Sequence, residues 1–357
     1  MADFERSVGA PGQNVIVTRR GLILFLVLGI AWGIPYVLIK IAVAELSPEL
    51  IVLSRSLVAA VILIPIAAAR GELRAVLAHW RPLLAYTLIE IILPWFFLTT
   101  AEQRLPSSTA GLLLAAVPLV SVGAAFILRS SVRFTAINWI GILVGMAGVA
   151  TLVGFDVAGS DLIAVAQIAV TVVGYATAPI IVAKWMGTVP GIGLAGLSLG
   201  ITAIVYAPAV ALTHGWPTAV PSVPVIISVL VLAVVCSAVA FVVLFALIAE
   251  IGPVRATAIT YVNPAVAIIA GAVLLGETVT VWTVVGFVLV IAGSWLVTRR
   301  DSLNGRRRHR GKTAAREGDE HGRDDAESAG NDEGADGSGG PQQHRAESGA
   351  TRDAEIA

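Results

Sequence analysis

Few side chains in this sequence can do acid–base or binding chemistry, and those that can are set among apolar neighbours. Arg55 and Glu90 each stand inside a hydrophobic run. An ionisable group placed that way costs roughly 3 kcal/mol on membrane-insertion scales and defaults to a functional candidate. If the runs are spanning helices, Arg55 lies ~10 Å below the outer end of its helix and Glu90 ~15 Å below the end of its own, at 1.5 Å per residue. The two can therefore meet. The first reading is a structural ion pair that lets both groups enter a helix bundle. The sharper one has Glu90 binding a coupling proton or a substrate ammonium, with Arg55 keeping the carboxyl charged until substrate arrives. Lys40 stands two residues from the end of its run, where its stem can reach the interface.

Aromatic and amide groups supply the remaining candidates. Trp32 and Tyr175 fall near the middle of their runs, whereas interfacial belts hold Trp and Tyr at membrane edges. Tyr36 is one turn from Trp32, and Tyr261 and Asn263 stand beside Pro264. Together they describe an aromatic, mildly polar cavity suited to an amphipathic or zwitterionic small molecule; filling gaps between helices is the plainer use of the same rings. Pro118 and Pro264 each remove a backbone donor and should kink their helices. Other chemistry lacks its parts. The single cysteine, Cys236, allows no disulfide framework, and no two histidines stand at i, i+4. A metal or other cofactor has almost no ligands before residue 299, and no Ser/His/Asp or Walker-type pattern is present. A receptor or enzyme without transport remains the rival class.

The elements that must position these residues are transmembrane helices. Of 357 residues, 57% are hydrophobic and 13% charged, against about 25% charged in soluble domains; the mean hydropathy is +0.85. A spanning helix needs about 20 apolar residues. Turn residues and charges divide the body into ten such segments, at 21–42, 48–69, 82–100, 108–128, 135–154, 162–183, 191–212, 223–249, 256–275 and 280–298. With the N-terminus in the cytoplasm, Arg19, Arg20, Arg70, Arg74, Arg81, Arg129, Arg133, Lys184 and Arg255 all fall inside, and only Arg104 outside. That segregation obeys the positive-inside rule and puts both termini in the cytoplasm of a cell (inner) membrane protein. Thr18-Arg-Arg-Gly-Leu22 also has the look of a twin-arginine signal, but it reads better as the anchor of the first of ten spans.

The chain repeats itself. Pro106 recurs as Pro253, Pro118 as Pro264, and Gly141 and Gly148 as Gly286 and Gly293, at offsets drifting only from 147 to 145. Each copy holds five helices, an odd number, so the second lies inverted relative to the first. Inverted repeats place a substrate site near the midplane and exchange conformations to give alternating access. The expected fold is thus an all-α membrane protein of ten transmembrane helices in two five-helix inverted-topology repeats. Gly141-x3-Gly145 allows close backbone approach, which serves packing inside the bundle first and a homodimer second.

Trp32-Gly33 with Tyr36 and Lys40, Pro48 with Arg55, Pro118, Pro264, Gly276-Glu277 and the two Gly-x6-Gly pairs resemble the drug/metabolite transporter superfamily, in particular its EamA-type exporters. The resemblance covers about residues 20–298. It implies secondary transport of small metabolites, often outward, through a lipid-embedded ten-helix bundle. Where such a first repeat commonly carries Gly-Glu, this chain has Ser130-Ser131. The organisation that follows is a cytoplasmic segment over 1–20, EamA-like repeats over 21–154 and 162–298, and a cytoplasmic tail over 299–357. A nucleotide-sugar or phosphate carrier of the same superfamily is the alternative, although di-anions need more inward cations than Arg55 and Lys40. From Arg299 onward the chain holds 11 Lys/Arg and 13 Asp/Glu in 59 residues. That composition reads as disordered. The basic run 306–310 reads as a membrane-surface anchor rather than a nucleic-acid site.

Overall fold

A computed structural model describes residues 18–127, 136–153, 162–187, 189–213, 216–252 and 256–299. The expected tail beyond Asp301, the basic run 306–310, Arg129, Arg133, Ser130-Ser131 and Pro253 lie outside the described residues. Among the described residues every regular element is helical.

The first apolar run forms α1 (Arg19–Gly33) and α2 (Pro35–Ala42), broken at Ile34 because Pro35 has no N–H to continue the ladder. Next comes α3 (Pro48–Ala69), capped by the Ser47 hydroxyl on the Leu50 amide and opened by a proline at its first position. A short link α4 (Leu73–Leu77) leads to α5 (Trp80–Thr87), a π-helical turn over Leu88–Ile92, and α6 (Leu93–Glu102). Then follow α7 (Ser107–Leu114), α8 (Val117–Ile127) and α9 (Ala136–Thr151). The second half opens with α10 (Leu162–Ile181), ending in a π turn over Val182–Met186, and α11 (Gly191–Leu212). It continues through α12 (Val223–Ala233), a π turn over Val234–Val239, and α13 (Ala240–Ile251). A 3-10 turn over Thr257–Tyr261 precedes α14 (Asn263–Leu275), and α15 is Val281–Arg299.

Counted as continuous units, eight helices are long and apolar enough to cross a membrane, and two more apolar helices, Ile137–Thr151 and Val281–Val297, are shorter. These two stand where spans were expected over 135–154 and 280–298. Leu143, Ile204 and Val273 are exposed on the helix surfaces. In water this would be an aggregating patch; in a bilayer it is the lipid face.

Each half packs mainly on the other. α3 lies against α11, α9 against α15, α7 against α14, α6 against α10, α2 against α12, and α1 against α13. Glycines allow the closest of these approaches. A Cβ on Gly293 would stand 2.6 Å from the Gly141 carbonyl oxygen and 2.6 Å from the Gly145 Cα, and one on Gly286 would meet Leu152 and the Gly148 carbonyl oxygen. The equally spaced glycines of the two copies thus face each other inside the chain, where Gly141-x3-Gly145 is used.

The Lys40 side chain ends on backbone carbonyl groups. Its Nζ donates to the Glu102 and Leu105 carbonyl oxygens at 2.7 and 2.9 Å. Glu102 ends α6 and Leu105 lies in the turn that follows, and a cation is favoured at such a helix C-terminus.

Candidate substrate site

Arg55 is the centre of the site. It projects from α3, is 5% exposed, and its guanidinium carbon sits 3.6 Å from the centroid of the Trp95 ring. Stacking on an indole suits a delocalised, weakly hydrated cation. Its Nε and Nη2 donate to the Ser237 Oγ at 3.3 and 3.1 Å, and that hydroxyl donates onward to the Leu232 carbonyl oxygen at 2.8 Å. The π turn carrying Ser237 is what makes the last bond available: Ser237 reaches five residues back. No other acceptor among the described residues is hydrogen-bonded to Arg55, which leaves donors of the guanidinium fork for a ligand.

Tyr36, Tyr175, Glu102 and Cys236 surround this centre closely enough to interact electrostatically with Arg55. Tyr36 packs on α7 beside Gly111, where an added Cβ would lie 3.3 Å from its ring and 2.6 Å from the Ala267 Cβ. The Trp95 indole faces the Tyr175 hydroxyl as well as Arg55. Five elements from the two halves therefore converge here, α2 and α3 with α6 on one side, α10 and the Val234–Val239 turn on the other.

The expected Arg55–Glu90 pair is not formed. Glu90 lies in the π turn Leu88–Ile92, with its Oε2 buried and without a hydrogen bond; its electrostatic neighbours are Tyr86 and Tyr175. Comparable depth in two helices constrains only the axial coordinate, and the two groups meet different neighbours. Tyr175 stands between them, interacting with both.

The other candidates divide. Trp32 packs edge-on to Phe241 with ring centroids 6.3 Å apart and belongs to the cluster around Leu28 and Leu247, apart from the cluster that holds Tyr36, Trp95 and Tyr175. The break at Ile34 separates it from Tyr36. Tyr261 donates to the Ser294 carbonyl oxygen at 3.2 Å, on α15. Asn263 keeps a buried Oδ1 without a hydrogen bond, and its carbonyl oxygen packs against Gly33 at the α1–α2 break. Pro118 and Pro264 each stand second in a helix that starts anew, α8 and α14, so the breaks precede the prolines.

Three members of the site went unsuspected. Trp95 and Ser237 are an ordinary aromatic and an ordinary hydroxyl in apolar sequence. The signal for Ser237 is its place 147 residues after Glu90, the repeat offset. Glu102, the last residue of α6, is fully buried and neither carboxyl oxygen has a hydrogen bond. Among the described residues no group of three or more His, Cys, Asp or Glu could hold a metal ion.

Comparison with known proteins gives one answer. The pattern of the EamA-like transporter family matches twice, over residues 19–154 and 162–299. The uncharacterized inner membrane transporter YedA of Escherichia coli (strain K12) is 30% identical over 280 residues, covering 75% of this chain and 89% of its own length. The uncharacterized transporter YvbV of Bacillus subtilis (strain 168) is 25% identical over 285 residues, covering 79% and 92%. A solved crystal structure of 20% identity shares the fold with a TM-score of 0.56, over 78% of this chain and 98% of that one. The chain belongs to the EamA-like transporter family.

Proposed function

We propose that this membrane transporter is a secondary-active exporter of small amphipathic or zwitterionic metabolites that works by alternating access. The observation that carries the reading is the Arg55 centre: a desolvated cation, stacked on Trp95 and tied to Ser237, where the two halves meet. A substrate carboxylate would take the free donors of the guanidinium, and Tyr36 and Tyr175 would flank its apolar part. Glu90, beside Tyr175, is the group proposed to take a coupling proton or a substrate ammonium.

The fold we propose has ten spans in two inverted repeats, 21–154 and 162–298, with the segments 1–20 and 299–357 in the cytoplasm. Two features support it beyond the doubled family match. Two of the three π turns described begin at Leu88 and Val234, 146 residues apart, the offset that separates Pro118 from Pro264. The packing partners also map onto themselves when the halves are exchanged: α3 with α11, α7 with α14 and α9 with α15 pair counterparts, while α6 with α10 mirrors α13 with α1.

A phosphate or nucleotide-sugar carrier is disfavoured, because Lys40 is committed to carbonyl oxygens and Arg55 stands as the one cation of the cluster. The test compares metabolites in the medium of cells carrying the wild-type protein, cells carrying Arg55→Ala, and cells lacking both. An amino-acid-like or other amphipathic compound should accumulate with the wild type alone. Identical media, with both proteins present in the membrane, would refute the export reading.

A further inference from the structure

We propose that four glutamates at helix ends are positioning residues for transport: Glu45 and Glu277 clasp the outer face shut, and Glu72 and Glu250 clasp the inner face. The inference rests on the alternating-access and two-termini-inside readings above. Glu277 accepts the Ser107 and Ser108 amides, the first two of α7, at 2.7 and 3.0 Å. Glu45 accepts the Ser222 amide at the cap of α12, at 2.7 Å. Glu72 accepts the Gly193 amide in the first turn of α11, at 2.8 Å. Glu250 accepts the Thr18 hydroxyl that caps α1, at 2.6 Å, and lies 3.7 Å from Arg20.

Three of the four follow one rule, and Glu250 reaches the same place on α1 through the Thr18 cap hydroxyl and Arg20. The first amides of a helix have no partner within it, and the helix dipole draws negative charge to that end. Here the charge comes each time from the opposite half of the chain, so every such bond is a tie between halves. Two ties belong to one membrane face and two to the other by the order of the helices along the chain. A rocking motion that opens one face must break that face's pair and can keep the other. The balance between the pairs therefore sets which face opens more often.

The Glu277 clasp has room built for it. Gly276 turns the chain with φ of +65°, and a Cβ on Gly271 would sit 2.5 Å from the Glu277 Oε2 and 3.0 Å from the Ser107 Oγ. Burial works against a charge on Glu277, but the bonds from Ser108 and Ser107 outweigh it and hold the carboxyl below its usual range. The bonds from Ser222 do the same for Glu45. Both clasps are thus charged, and strongest, near neutral pH.

The chain carries its own reporter. Cys236 is its single cysteine, 2% exposed, on the π turn beside Arg55. A membrane-impermeant maleimide should reach it only when a face opens. Labelling is measured from outside on whole cells and from inside on inverted vesicles, and denatured samples report the total protein. Glu45→Ala and Glu277→Ala should raise outside labelling by at least about fivefold, the lower end of typical couplings between sites, without raising inside labelling. Glu72→Ala and Glu250→Ala should do the reverse. Glu277→Gln, which keeps one acceptor and loses the charge, should fall between wild type and alanine and guards against poor folding. Equal increases from both faces would mean simple loosening and overturn the proposal, as would unchanged labelling in all variants. A mirror-image pattern would retain the clasps and reverse the topology, and unchanged labelling with transport intact would leave the transporter reading standing without them.

Discussion

An arginine buried within a bundle of apolar helices needs partners that spread its charge, and Arg55 has found an aromatic face and a hydroxyl rather than a carboxylate. Lysine cannot copy that arrangement, since its compact ammonium neither stacks as a plane nor forks toward Ser237. The energetic consequence separates the two possible partners. Replacing Arg55 and Trp95, singly and together, should give a double-mutant cycle on stability with a coupling of roughly 0.5–3 kcal/mol, as for residues in contact. The same cycle on Arg55 and Glu90 should be additive within about 0.5 kcal/mol. A coupling for Arg55 and Glu90 as large as that for Arg55 and Trp95 would restore the ion pair. Both charges were legible in the sequence because they interrupt hydrophobic runs. Their partners were not, because position along a helix gives depth but not direction. Glu102 shows the same limit from the other side: a residue at a span boundary reads as interfacial, yet here it is fully buried.

At the scale of helices, hydropathy and turn residues located the apolar segments to within a few residues, since Ser47-Pro48 and Gly276 act through local backbone chemistry. The interruptions inside the segments were another matter. A π turn adds one residue to a helical turn, and in a helix apolar on all sides that shift leaves no mark in the hydrophobic pattern. Of the three π turns described, only the two at Leu88 and Val234 are betrayed, by their pairing at the repeat offset. The glycines were legible as spacing, and their use depends on tertiary approach. Gly293→Ala forces a methyl onto the backbone of Gly141 and Gly145, which cannot swing aside as a side chain would. Such overpacking should cost roughly 1–3 kcal/mol and lower the thermal midpoint in detergent. Gly123→Ala meets no atom within 4 Å and should gain up to about 1 kcal/mol of helix propensity. Equal midpoints for the two variants would mean that the α9–α15 contact is looser than the glycines require.

For the whole molecule, the open quantity is the number of crossings, and it turns on two helices. α9 has 16 residues and α15 has 19, or ~24 and ~28 Å at 1.5 Å per residue. Against a hydrocarbon core of about 30 Å, both fall short by a few ångströms, a mismatch that bilayer thinning accommodates at modest cost. Their surfaces agree with crossing: Leu143 and Met146 on α9, and Val281 and Val288 on α15, are exposed and apolar. The charges agree too, since Arg129 and Arg133 precede α9 while the segment 154–161 after it has only Asp156 and Asp161. If both cross, both termini lie on the same side as Arg70 and Lys184. If only one crosses, the C-terminus is outside, next to Arg299 and Arg300, against the positive-inside rule. A reporter active only in the cytoplasm, fused after residues 133 and 300, should give signal at both places. Fused after residues 104 and 158 it should be silent, where a periplasm-active reporter gives the complementary pattern. Cytoplasmic signal after residue 158 would remove α9 from the membrane. Periplasmic signal after residue 300 would leave an odd number of crossings and end the two-inverted-repeat architecture.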